Sequence, residues 1–132
     1  MLHIGLDLGR RHLEVCAVDE GGEVVARRSA TPDVDGLRVL AAQFESGELR
    51  AVIESMTGAR WVHDTLEEAG WDVEVADAVR VKALAPLTAK TDRIDAQVVA
   101  DLSRRDLGPA IWLPPPGVRA DREFARFRLF LV

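Results

Sequence analysis

A chain of 132 residues has room for one ordinary domain, and at that length it can bury roughly two-thirds of its unfolded surface without a disulfide or metal staple. An apolar content of 48% excludes a disordered chain, and no run approaches the ~20 apolar residues of a membrane span. The net charge of −5 argues against a polyanionic partner only until it is divided: residues 1–77 carry 7 basic and 16 acidic side chains, whereas residues 78–132 carry 10 and 6, a balance that fits a domain meeting phosphate with its C-terminal half.

The elements follow in order. Leu2, Ile4, Leu6 and Leu8 alternate with His3, Gly5 and Asp7, the period of a strand. Gly9-Arg10-Arg11 turns the chain into a second strand, His12 to Val18, and Asp19-Glu20-Gly21-Gly22 turns it into a third, Glu23 to Thr31. Pro32-Asp33 opens a helix through about Glu45, with Leu37, Leu40, Ala41 and Phe44 on one stripe, and Ser46-Gly47 stops it. A short strand from Leu49 ends at Glu54. Residues 59–69 have helical spacing, with Gly70 as the stop, and Trp71 to Ala76 is a further strand. Residues 78–85 form a short basic helix ended near Pro86, and residues 91–106 form the most regular helix, ended by Gly108-Pro109. Pro114-Pro115-Pro116 is a stiff connector to a last helical stretch, residues 118–132. That stretch stops on Phe130-Leu131-Val132 without a cap, which suggests a longer parent chain. Hairpins first and crossover helices after give an α/β fold with a mixed sheet, the ribonuclease H-like arrangement.

Cys16 is the only cysteine, so it makes no internal bridge and no cysteine-rich zinc site; its apolar neighbours predict a small buried residue. The N-terminus has neither the basic nor the apolar region of a signal peptide, so the expected location is the cytoplasm.

Four acids stand out. Asp7 interrupts an apolar first strand just before a glycine, and Glu54 closes the run Ala51-Val52-Ile53 before a Ser-Met-Thr-Gly loop. At ~100° per residue, Ile94, Val98, Val99 and Leu102 form one stripe of the helix over 91–106. Asp95 falls inside that stripe and Asp92 at its edge. An inward aspartate costs several kcal/mol unless a cation or hydrogen bonds satisfy it. Capping of the helix by Thr91 or Asp92 is the structural alternative. Carboxylates are the hard ligands that magnesium and manganese prefer, and His3, His12 and His63 are scattered without zinc spacing.

Three segments, Ile4-Gly5-Leu6-Asp7-Leu8-Gly9, Ile53-Glu54-Ser55-Met56-Thr57-Gly58 and above all Lys90-Thr91-Asp92-Arg93-Ile94-Asp95-Ala96, resemble the DEDD transposases of bacterial insertion sequences. The resemblance runs through Trp112-Leu113-Pro114 into Val118-Arg119. It implies a RuvC-like domain over 1–113, followed by a proline linker and the start of a truncated helix over 114–132. It implies that Asp7, Glu54, Asp92 and Asp95 bind Mg2+ or Mn2+ for phosphodiester cleavage and strand transfer in DNA transposition. Lys90 and Arg93 would face phosphate, with Arg80 and Lys82 as further nucleic-acid contacts. The implied partners are DNA, a guide RNA encoded by the element, and copies of the full-length chain as a homo-oligomer, with no membrane. Ser55 departs from the alanine expected after Glu54, and Met56 is inserted before Thr-Gly. Members of the family continue into a coiled coil and a domain with a serine nucleophile, so these residues alone are not expected to complete strand exchange.

Two alternatives are a stand-alone RuvC-like resolvase or nuclease, and an ATPase of the actin and sugar kinase type. Asp7-Leu8-Gly9 fits the first phosphate loop of the latter, but Arg10-Arg11 replaces its usual hydroxyl residue and no second glycine-rich loop follows.

Overall fold

A computed structural model describes residues 1–44, 47–84 and 95–105, together with the backbone of 110 and 111. Strands β1 (Leu2–Leu8), β2 (Leu13–Val18) and β3 (Val24–Ala30) lead to helix α1 (Val34–Gln43). Strand β4 (Leu49–Glu54), helix α2 (Ala59–Glu68), strand β5 (Val73–Ala76) and helix α3 (Ala78–Leu84) follow. Helix α4 (Ala96–Arg104) and the two-residue strand β6 (Ala110–Ile111) complete the described elements.

The sheet order is β3-β2-β1-β4-β5-β6. The pairs β1–β2 and β2–β3 are antiparallel, as their tight turns require, while β1–β4 and β4–β5 are parallel. This mixed sheet with helices is the expected ribonuclease H-like fold. Strand β6, antiparallel to β5, was not expected. Two residues carry too little pattern to reveal a strand. The proline connector and the helix over 118–132 lie outside the described residues, as do Lys90, Asp92 and Arg93.

Alternation along β1 divides the core. Ile4 and Leu6 face a layer formed with Leu37, Leu40, Val62 and Leu66 of α1 and α2. The register sets His3, Gly5 and Asp7 on the other face, beside Val18, Cys16 and Glu14 of β2. There Val52 and Ala76 pack with Val81 of α3 and with Val98, Val99 and Leu102 of α4. Cys16 and Val18 pack with Ala96 and Ala100 of α4, which bears out the buried cysteine.

Two contacts fix the direction of α4. A Cβ on Gly5 would overlap the carbonyl oxygen of Ala96 and stand 2.7 Å from the Ala100 nitrogen, so helix backbone rests directly on β1 there. Near the other end of α4, buried Ser103 bonds through Oγ to Nδ1 of buried His3 at 3.2 Å. Helix α4 therefore runs antiparallel to β1, and its first residues lie toward the end of the strand that carries Asp7.

The expected stripe of Val98, Val99 and Leu102 is buried, but the predicted helix start is corrected. Asp95 has extended backbone (φ −126°, ψ −178°) and is the N-cap, its Oδ1 accepting from Val98 N at 3.1 Å. An aspartate here satisfies one of the unpaired amides of the first turn, which is why the helix begins at Ala96. Periodicity could not distinguish this end from a helix starting earlier, because Asp92 and Asp95 are both good caps.

Candidate active site at the end of the sheet

Parallel pairing matches Leu2 with Leu49 and continues to Leu6 with Ile53, so one further step sets Asp7 beside Glu54. Both acids lie at the C-terminal ends of adjacent parallel strands, where open α/β sheets place their sites. Both are half-buried. Burial, and then the negative charge of Asp7, push the Glu54 carboxyl above its ordinary range, while Lys82 of α3 pulls it down. The strands thus bring two like charges together, with an ammonium group close by. Asp95 approaches the same face from α4. Its charge raises the Cys16 thiol further, after the larger effect of burial.

Of the expected acids, Asp7 and Glu54 therefore stand side by side, Asp95 starts the helix that crosses the same face, and Asp92 lies outside the described residues. Among the described residues, no group of three or more His, Cys, Asp and Glu is close enough to hold a metal ion. Asp95 commits one carboxylate oxygen to Val98 N. A carboxylate offers about four lone-pair sites, so capping does not exhaust it.

Of the expected phosphate contacts, Lys82 is close enough to Glu54 to act on its charge, and both Arg80 and Lys82 are exposed on α3. Helix α3 is itself set by Asp77, whose Oδ1 accepts from Val79 N at 3.0 Å and Arg80 N at 3.1 Å. Ser55, the departure noted after Glu54, has a local task. Its Oγ accepts from Ala78 N at 3.1 Å and ties the end of β4 to the start of α3.

Sequence reasoning missed Glu14. It is the cross-strand partner of Asp7 and binds Ser29, whose Oγ donates to Glu14 Oε1 at 3.2 Å. The signal was present, because residues equidistant from a tight hairpin turn face each other, and Asp7 and Glu14 flank Arg10-Arg11 symmetrically. A cleft of about 660 Å3, lined in part by Arg38, Phe44, Trp71 and Asp72, lies at the opposite end of the sheet, away from Asp7, Glu54 and Asp95.

The state of Glu54 gives a pH dependence. Its pKa is raised in the fold, so the folded chain holds this proton more tightly than the unfolded chain. The resulting contribution to stability is complete below the unfolded glutamate pKa and is lost as pH rises through the folded value. In metal-free buffer Glu54→Gln is therefore expected to raise the melting temperature at neutral pH and to flatten its fall as pH rises above the ordinary glutamate range. A melting series in EDTA checks this; an unchanged slope would mean that Glu54 is not strained.

A mixed sheet of this strand order flanked by helices is a RuvC-like fold. The chain shares its fold with T. thermophilus RuvC, solved in complex with Holliday junction substrate: the TM-score is 0.52 at 14% identity, covering 84% of this chain and 99% of that one. It also matches the IS110-type DEDD transposase family, described as transposase, over residues 4–132, and it belongs to that family. No curated protein sequence matches it. Among the described residues, no helix is long and apolar enough to cross a membrane.

Proposed function

We propose that the chain supplies the metal-dependent phosphodiester chemistry of DNA transposition, with Asp7, Glu54, Asp92 and Asp95 as the ligands of Mg2+ or Mn2+. The observation that carries this reading is the side-by-side placement of Asp7 and Glu54, the Glu54 carboxyl raised by burial and then by the charge of Asp7, on the face where Asp95 begins α4. An all-carboxylate donor set suits a hard divalent cation. When bound, such ions stabilise the attacking and leaving oxygens of a phosphodiester displacement.

The chain's own side chains have separate tasks. Asp7 and Glu54 are held by the pairing of β1 with β4, so neither can withdraw without disturbing the centre of the sheet. Asp95 is held by its cap to Val98. Lys82 and Arg80 on α3, with Lys90 and Arg93, would contact phosphate and offset the site's negative charge toward a DNA backbone. A guide RNA and a homo-oligomeric assembly belong to the same reading through the family resemblance.

Calorimetric titration with Mn2+ tests the ligand set, using the wild-type chain and Asp95→Asn. We expect saturable binding by the wild type and at least ~100-fold weaker binding by the variant. Equal affinities would remove Asp95 from the site. The similarity in fold to RuvC favours one further substrate for trial: metal-dependent cutting of branched DNA by this chain alone would favour a resolvase over a transposase.

A further inference from the structure

The turn between β1 and β2 begins one residue beyond the strand that carries Asp7 and bears two adjacent arginines. Leu8 pairs with Leu13, and Gly9 N donates to His12 O at 2.9 Å, so Arg10 and Arg11 are the central residues of a tight turn. Both are exposed, and among the described residues neither makes an ion pair. A buried or bridged arginine would have a structural task, whereas these two, exposed on a tight turn, bridge no other described residue. Their position is nevertheless well fixed, because β1 is paired on both sides, with β2 and with β4.

Chain geometry keeps them close to the acids. Arg10 is three residues beyond Asp7, and even a fully extended chain advances only ~3.5 Å per residue, which holds their Cα atoms within about 11 Å. The sheet order adds direction. With β2-β1-β4-β5 side by side, the turn lies on the β2 side of Asp7 and Glu54, and α3, which packs through Val81 on Val52 of β4 and Ala76 of β5, lies toward the β5 side. Lys82 of α3 already acts on Glu54 from that far side. Two basic groups thus flank the acids across one end of the sheet.

From this arrangement we infer that Arg10 and Arg11 form a second phosphate-binding element, which grips a DNA strand on the β2 side of the acids while α3 holds it on the β5 side. The inference rests on the proposed DNA chemistry and adds to it a direction for the strand: across the sheet end, perpendicular to β1. It also accounts for how a domain with 16 acidic residues in its first 77 could accept a polyanion at that end. Arginine suits this role, because its planar fork can donate two hydrogen bonds to one phosphate.

Fluorescence anisotropy with a labelled DNA duplex in Ca2+ buffer, repeated over a series of salt concentrations, tests this. The variants are Arg10→Ala/Arg11→Ala, Arg10→Lys/Arg11→Lys, and Arg28→Ala/Arg38→Ala as a control of equal charge change elsewhere. We expect the alanine pair to weaken binding ~10-fold at low salt and to reduce the slope of log affinity against log salt by about 1–2. The lysine pair should keep the wild-type slope, and the control should bind within about twofold of the wild type. Wild-type binding with equal loss in the alanine pair and the control would reduce the effect to net charge and overturn the inference. Wild-type binding left unchanged by the alanine pair would overturn it too, while sparing the proposed function. Failure of the wild type to bind DNA at all would overturn both.

Discussion

Gly5→Ala is expected to be strongly damaging for a single added methyl, lowering stability by about 3 kcal/mol and the melting temperature by ~10 °C. The new Cβ would meet backbone atoms of Ala96 and Ala100, which cannot rotate away as a side chain could. Either α4 lifts from β1 or β1 bows, and both would open the packing of Cys16 and Val18 against Ala96 and Ala100. Because the obstruction is main chain, Ala100→Gly should not rescue it. Gly21→Ala is the control. Its Cβ would find only Asp19 Oδ1, at 3.4 Å, and the change should stay within about 0.5 kcal/mol. Thermal melts of the three variants check this. Equal melting temperatures for Gly5→Ala and the wild type would mean that α4 does not rest on β1, and the placement of Asp95 would fall with it.

Gly5 also marks how far the sequence could be read. The alternation of β1 was plain, and so was the presence of a glycine within it, a residue that often signals close backbone approach in a strand. What approached it was not legible. Ala96 and Ala100 are one helical turn apart and small, but small residues on a helix carry no address, and 91 positions separate Gly5 from Ala96. Most of the fold was accessible because each early element is closed by its own local signal: glycine turns for the hairpins, the Asp33 cap for α1, and Gly70 after α2. Strand β6 and the start of α4 had no such unambiguous signal. The first is two residues long, and the second had two competing aspartates.

The acids were legible as anomalies, each one polar where the pattern called for apolar, but their grouping was not. Nothing in the spacing of Asp7 and Glu54 gives the parallel register that makes them neighbours. That came from the family resemblance, whose most specific segment, Lys90 to Ala96, lies largely outside the described residues. Glu14 went unnoticed for the opposite reason. It is an ordinary exposed acid on an alternating strand, and only its symmetry with Asp7 about the turn sets it in the same neighbourhood.

The neighbourhood of Asp7 and Glu54 yields the second large expected effect, from Asp7→Asn. The substitution keeps the shape of the side chain and removes its charge, so two readouts should move together. Mn2+ affinity should fall at least ~100-fold, as expected on losing a ligand where even supporting residues cost 10–100-fold. The Glu54 carboxyl should also titrate at lower pH than in the wild type, because one of the two causes that raise it has gone; burial, the larger cause, remains, so the return toward the ordinary range is partial. NMR titration of the Glu54 carboxyl carbon in metal-free wild type and variant measures the second effect, and calorimetry measures the first. The pairing of results separates the ways in which the site could be wrong. If the Glu54 titration moves but Mn2+ affinity does not, the two acids are neighbours without being ligands, and the metal site must be sought elsewhere. If affinity falls while the Glu54 titration stays in place, Asp7 binds the ion but not beside Glu54, and the register of β1 against β4 is in error. Only the joint change is consistent with two carboxylates held side by side by the sheet so that a cation can relieve their repulsion.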